Sequence, residues 1–219
     1  MTLSLWSRRI LLPFAVTRAG LLLAGVLALG LIGSVRDRMP GNLVAHLPAP
    51  LPLEIWARWD SEWYILIAEK GYPSGDLLAP YGPHYRAEDT AGFFPLYPLL
   101  MRLFAPLCGG DLVLSGWILS SGFLFLSVYM LMRLVREFHP GIDPCLPAVF
   151  LLAHPMAFFL NAVYSESLFL FLSLAMVYFA RRGDFFKASL AAALASATRV
   201  AGVFLCVLLL VEFLRAHGW

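Results

Sequence analysis

From Leu112 to Met132 the chain carries no charged residue. A run of that length is long enough to cross a bilayer, which takes about 20 apolar residues as a helix. It also has little other use, because lipid leaves backbone groups no partner outside a helix or a closed barrel. Five further apolar segments follow the same pattern, at 12–34, 145–161, 164–180, 184–198 and 200–215. The expected fold class is therefore all-α: a polytopic membrane protein with about six transmembrane helices, in one domain over residues 1–219. Segments 145–161, 184–198 and 200–215 are short, which local thinning of the bilayer or shielding by neighbouring helices accommodates.

Composition agrees. Hydrophobic residues make up 60% of the chain and charged residues 14%, where a soluble domain carries about a quarter charged. The formal net charge is +2 and no basic run is present, so nucleic acid is excluded as a partner class. Cys108, Cys145 and Cys206 show neither metal-ligand spacing nor a disulfide framework. The N-terminal apolar segment is interrupted by Arg18 and runs too long for a signal peptide, so it reads as a retained first span.

Lysine and arginine set the expected orientation. Arg8 and Arg9 hold the N-terminus in the cytoplasm, and Arg133, Arg136, Arg181, Arg182, Lys187 and Arg215 fall on the same side. Segment 35–111 is then an extracytoplasmic loop. Two amphipathic pieces of it, near 54–70 and 93–107, read as interfacial juxtamembrane helices. In the first, Trp59, Trp63 and Ile67 are four apart and share a helical face, with Leu66 beside them. Asp60 and Tyr64 form the neighbouring stripe. Aromatic residues of this kind favour the water–lipid boundary.

Three polar groups fall on that outer side: Asp60 with Glu62, the "YSES" stretch Tyr164–Ser167, and Arg199. Ionisable groups at membrane depth are costly and mark functional sites by default. Each also has a plainer explanation. The charges of 54–70 can simply solvate an outward face, and Glu166 with Arg199 can be an ion pair tying two helices together. His154, beside Pro155, reads as a packing or kink residue, and His84 as a solvated loop residue that alternatively faces substrate.

Four stretches in order, "RWDSEWYILIAEKGY", "GFFPLYPLL", "NAVYSESLF" and "SATRVAG", cover much of 57–203. Together they resemble the glycosylphosphatidylinositol mannosyltransferase II family and its bacterial relatives, among the GT-C membrane glycosyltransferases. The resemblance implies transfer of mannose or a related hexose from a polyprenyl-phosphate donor to an acceptor hydroxyl, at the extracytoplasmic face and with inversion. It implies Asp60 as general base, with Glu166 orienting the acceptor or holding Arg199. Arg199 is the candidate for the donor phosphate, with Arg58 as second choice. Trp59, Trp63, Tyr64, Tyr164, Glu62 and His84 are candidates for the substrate groove.

A carboxylate base suits this chemistry, since the acceptor hydroxyl loses its proton as the sugar gains oxocarbenium character. A guanidinium suits a phosphate, which it can hold by two parallel hydrogen bonds. No cofactor or metal is required, although a divalent ion on Asp60 and Glu62 stays open. The expected partners are a polyprenyl-phosphate-linked sugar, membrane lipids and, because family members have further spans, a partner protein completing the C-terminal half. The expected location is a bacterial inner membrane. The competing function is a non-catalytic subunit that binds a lipid-linked sugar. A third, an intramembrane serine protease, lacks the loop signature around Ser115, Ser120 and Ser121.

Overall fold

The computed structural model describes residues 3–32, 51–72 and 86–218. All regular structure among them is helical. The helices are α1 (Leu3–Ile32), α2 (Leu51–Glu54), α3 (Ser61–Lys70), α4 (Leu96–Phe104), α5 (Leu112–Phe138), α6 (Cys145–Ala153), α7 (Glu166–Arg181), α8 (Phe185–Ser196) and α9 (Leu205–Ala216). Tighter 3₁₀ turns at Ala87–Gly92, Ala105–Cys108, Pro155–Phe158 and Val200–Phe204 join or extend them.

Among the described residues two helices, α1 and α5, are long and apolar enough to cross a membrane. At 27 residues α5 is about 40 Å long, given a rise of 1.5 Å per residue. The 16 residues of α7 and the 12 each of α8 and α9 fall short of a hydrocarbon core about 30 Å thick. Of the six spans expected, three of them short, two are matched among the described residues by helices of full length, and the rest by shorter apolar helices.

Segment 145–161 departs furthest from a continuous span. Its helix stops at Ala153, His154 turns extended (ψ 137°), and Pro155 begins a 3₁₀ turn. The cause is local. The proline ring pushes the preceding residue out of the α region and supplies no N–H to continue the ladder. Arg18 of α1 compensates. Its guanidinium donates to the carbonyls of Leu152 (3.0 Å) and Ala157 (3.1 Å), on either side of the break. The arginine that interrupts the first apolar segment is therefore the partner of a second interruption far along the chain.

Helices α5 and α7 run parallel. Ser120 Oγ donates to the Tyr164 carbonyl, Ser127 Oγ to that of Ser167, and Arg133 to the Tyr178 hydroxyl. Small residues bring α8 close to α7, through Ala175, Ala188, Ala191 and Ala192. Helix α9 ends where α7 ends, since Glu212 pairs with Arg181 at 3.2 Å. The bundle thereby acquires two unlike ends. One gathers Arg133, Arg182 and Glu137 around Tyr178, with Arg181 beside it on Glu212. The other gathers the start of α7, the turn after α8 and the segment leading into α3.

The expectation of a single surface-lying helix over 54–70 does not hold. A one-turn α2 is followed by an irregular stretch, and α3 begins only at Ser61. Trp59 lies outside the helix with φ 48°, so it shares no helical face with Trp63 and Ile67. Helix α3 is embedded: Tyr64, Ile65, Leu66, Ile67 and Ala68 are all buried, against α4 and α5. The second expected piece, 93–107, is helical from Leu96 to Cys108 and buries Tyr97 and Met101.

Candidate functional site

Tyr164 organises the polar end of the bundle. Its hydroxyl donates to the Arg58 carbonyl (3.0 Å) and accepts from the backbone N–H of Asp60 (3.2 Å). These two bonds straddle Trp59, the one non-glycine residue with positive φ among those described. A bulky side chain in the left-handed region costs on the order of 1–2 kcal/mol, and it is held there by contacts on both sides. The Trp59 ring packs edge-on to Phe158 and tilted against Phe159. A backbone bond from Val163 N–H to the Trp56 carbonyl (2.9 Å) clamps the same segment to the entry of α7.

Asp60 occupies the N-cap position of α3, but its side chain makes no capping bond. The carboxylate is exposed and lines a cleft of about 640 Å³. Glu166, first residue of α7, lines the same cleft, with Trp59, His154, Tyr164 and an apolar wall that includes Leu151, Met156 and Leu160. A carboxylate that forgoes the usual capping bond stays available as an acceptor toward the cleft.

Glu166 pairs with Arg199 through Oε1. Its Oε2 is buried and has no hydrogen-bond partner among the described residues. Arg199 precedes the 3₁₀ turn Val200–Phe204 in extended conformation. Gly202 permits that turn to sit on the end of α8. A β-carbon at this position would lie 2.4 Å from the Ala195 carbonyl carbon and oxygen. Those are backbone atoms and cannot give way, so the packing demands glycine. The Ala197 carbonyl accepts from Leu96 N–H (2.9 Å), which ties the turn to α4.

Beneath the cleft lies a buried tyrosine chain. Tyr64 hydroxyl bonds Ser165 Oγ at 2.8 Å, and Tyr97 hydroxyl bonds Ser120 Oγ at 2.7 Å and the Gly116 carbonyl at 3.0 Å. Burial pushes the Tyr64 hydroxyl up to about 12, so it stays protonated and serves as a fixed hydrogen-bonding strut. Tyr64 packs edge-on against Tyr97 and Phe93.

The sequence-predicted residues divide accordingly. Asp60, Glu166, Tyr164 and Trp59 meet at one cleft, and Arg199 reaches it through Glu166. Tyr64 lies below as support. Trp63 stacks on Phe93 instead of facing Trp59. Glu62 is half-buried in the first turn of α3, and residues two apart on a helix do not face one another. Arg58 is within 3.7 Å of Glu54, whose side chain is fully buried. His84 lies outside the described residues.

Two contributors went unread in the sequence. Glu54 looks like an ordinary charge after a proline-rich stretch. His154, read as a packing residue, lines the cleft.

The bundle thus carries at one end a largely apolar cleft with two carboxylates in its lining, one of them paired to an arginine. Comparison with family profiles settles the class: the Mannosyltransferase (PIG-V) family matches residues 36–216, and the chain belongs to it. Membership supports a glycosyltransferase activity, and the two long apolar helices suit a membrane protein. No curated protein and no solved structure compared with the chain gives a match.

Proposed function

We propose that the protein transfers mannose, or a related hexose, from a polyprenyl-phosphate donor to an acceptor hydroxyl, with inversion, at the extracytoplasmic face of a bacterial inner membrane. The observation that carries this reading is the convergence of Asp60 and Glu166–Arg199 on a cleft whose other wall is apolar. A lipid-linked sugar has the same division, with a greasy chain at one end and a hydroxyl-rich ring at the other.

In the step proposed, the acceptor oxygen attacks the anomeric carbon from the face opposite the phosphate. The carbon–oxygen bond to phosphate breaks and polyprenyl phosphate leaves with the electron pair. The acceptor proton passes to the Asp60 carboxylate. Glu166 holds Arg199 in place through Oε1. Arg199 takes up negative charge on the leaving phosphate. The reaction draws on no cofactor or metal in this scheme.

The test is transfer by purified Asp60→Asn. Loss of about 100-fold or more in kcat is expected for removal of a general base, with donor binding retained. Undiminished transfer would remove Asp60 from the mechanism. Wild-type protein that transfers no lipid-linked hexose yet binds one would instead mark a non-catalytic subunit, for which a partner supplying the C-terminal half is the counterpart.

A further inference from the structure

We propose that His154 is a second ligand for the donor phosphate, through its Nε2–H. This rests on the lipid-phosphate reading of the cleft given above and adds a residue to it.

The imidazole has a defined tautomer. Its Nδ1 accepts from the backbone N–H of Met156 at 3.1 Å, capping the 3₁₀ turn Pro155–Phe158. An acceptor nitrogen carries no proton, so in the neutral ring the proton sits on Nε2. The ring therefore presents a donor on the edge away from the turn. Nε2 has no hydrogen-bond partner among the described residues, while the ring is exposed and lines the cleft.

The chemistry of its neighbours in the cleft lining decides what it would bind. Leu151, Met156 and Leu160 are apolar; Asp60, Tyr164 and Glu166 are polar, and both carboxylates are acceptors only when ionised. His154 stands at the sequence junction between the apolar α6 and the turn leading to Tyr164 and Glu166. Polyprenyl-phosphate sugars place their groups in the order chain, phosphate, sugar. A neutral N–H donor beside the apolar wall matches the middle group, whose oxygens accept hydrogen bonds. A carboxylate would repel that group. The break at Pro155 is thereby given a use: it turns a residue of an apolar segment out of a helix and into the cleft.

Capping and ligand binding can be separated by substitution. Asparagine is a good N-cap, and its Oδ1 can take the place of Nδ1 toward Met156, but it has nothing at Nε2. His154→Ala removes both. The readout is affinity of the purified full-length chain, in detergent, for a short-chain polyprenyl phosphate without sugar, together with Tm and the KM and kcat for hexose transfer.

Wild-type protein is expected to bind the lipid phosphate. His154→Asn should weaken binding about tenfold, as loss of one hydrogen bond to a charged group does, and raise the donor KM with Tm and kcat unchanged. Asp60→Asn should bind the lipid phosphate as wild type does. Binding and donor KM of His154→Asn equal to wild type, with His154→Ala reduced only in Tm, would show that His154 is a cap alone. A wild type that binds no polyprenyl phosphate also overturns the proposal. Wild-type binding lost in His154→Asn, in a protein that transfers no hexose, would sustain the His154 site and overturn the transferase reading.

Discussion

At the scale of single residues, Tyr164 is the joint between chemistry and scaffold. Its hydroxyl holds the backbone on both sides of Trp59 and so sets where the Asp60 carboxylate points. A neutral hydrogen bond is worth about 1 kcal/mol net, so Tyr164→Phe should cost one to two kcal/mol of stability by that measure. Its effect on transfer should be larger than its effect on folding. A base displaced by a fraction of an ångström loses the advantage of orientation. We expect kcat to fall about tenfold with donor KM little changed; a fall confined to Tm would assign Tyr164 to the scaffold alone. Arg199 gives the complementary case. Arg199→Ala leaves Glu166 without its one ion-pair partner among the described residues, in a partly buried site. It should weaken donor affinity more than acceptor affinity, measured by initial rates against each substrate. The opposite pattern would count against a phosphate role.

At the scale of elements, the turn after α8 is the part that composition cannot explain and packing can. Gly202 presses against the backbone of Ala195 and Ser196, and Arg199 is delivered to Glu166 by that contact. Gly202→Ala should therefore shift the turn, lower Tm by several degrees for a cost of about 1–3 kcal/mol, and reduce donor affinity as Arg199→Ala does. Gly122→Ala is the control, since nothing lies within 4 Å of a β-carbon there. Equal effects of the two substitutions would separate Gly202 from the site.

The same element shows how far sequence reading reaches. Long apolar periods and the α5 span are local signals, and they are legible; at Pro155 the sequence signals a kink where the structure breaks the helix. So is the pairing of Glu166 with Arg199, because two opposite charges in apolar surroundings need each other. The left-handed turn at Trp59 is not. It is imposed by Tyr164, 104 positions from the Asp60 N–H it accepts, and no residue near Trp59 announces it. Read as continuous helix, 54–70 puts Trp59 and Trp63 together; folded, one faces the cleft and the other Phe93. Arg18 escapes for the same reason, since its partners are the carbonyls of Leu152 and Ala157.

At the scale of the whole molecule, the two unlike ends carry the functional orientation. The cleft end holds Asp60, Glu166 and Arg199; the other holds Arg133, Arg181, Arg182 and Arg215, the last near Glu212 at 3.6 Å. Arginine collects on the cytoplasmic side of membrane proteins, and on that ground we propose that the cleft faces outward. Large apolar side chains face away from the bundle, as Leu31 (87% exposed) and Phe204 (72%) do, and a surface of that kind calls for lipid or further helices. Native cysteines report the orientation directly. Cys108 closes the 3₁₀ turn after α4, before α5 starts from the cleft end; Cys145 opens α6, after α5 has reached the basic end. Both thiols are partly exposed. In a Cys206→Ser background, a membrane-impermeant maleimide added outside intact spheroplasts should label Cys108 and spare Cys145 until the membrane is permeabilised. Labelling in the reverse order would put the cleft in the cytoplasm, where a nucleotide-activated sugar is the available donor class, and would overturn the polyprenyl-phosphate assignment along with the orientation.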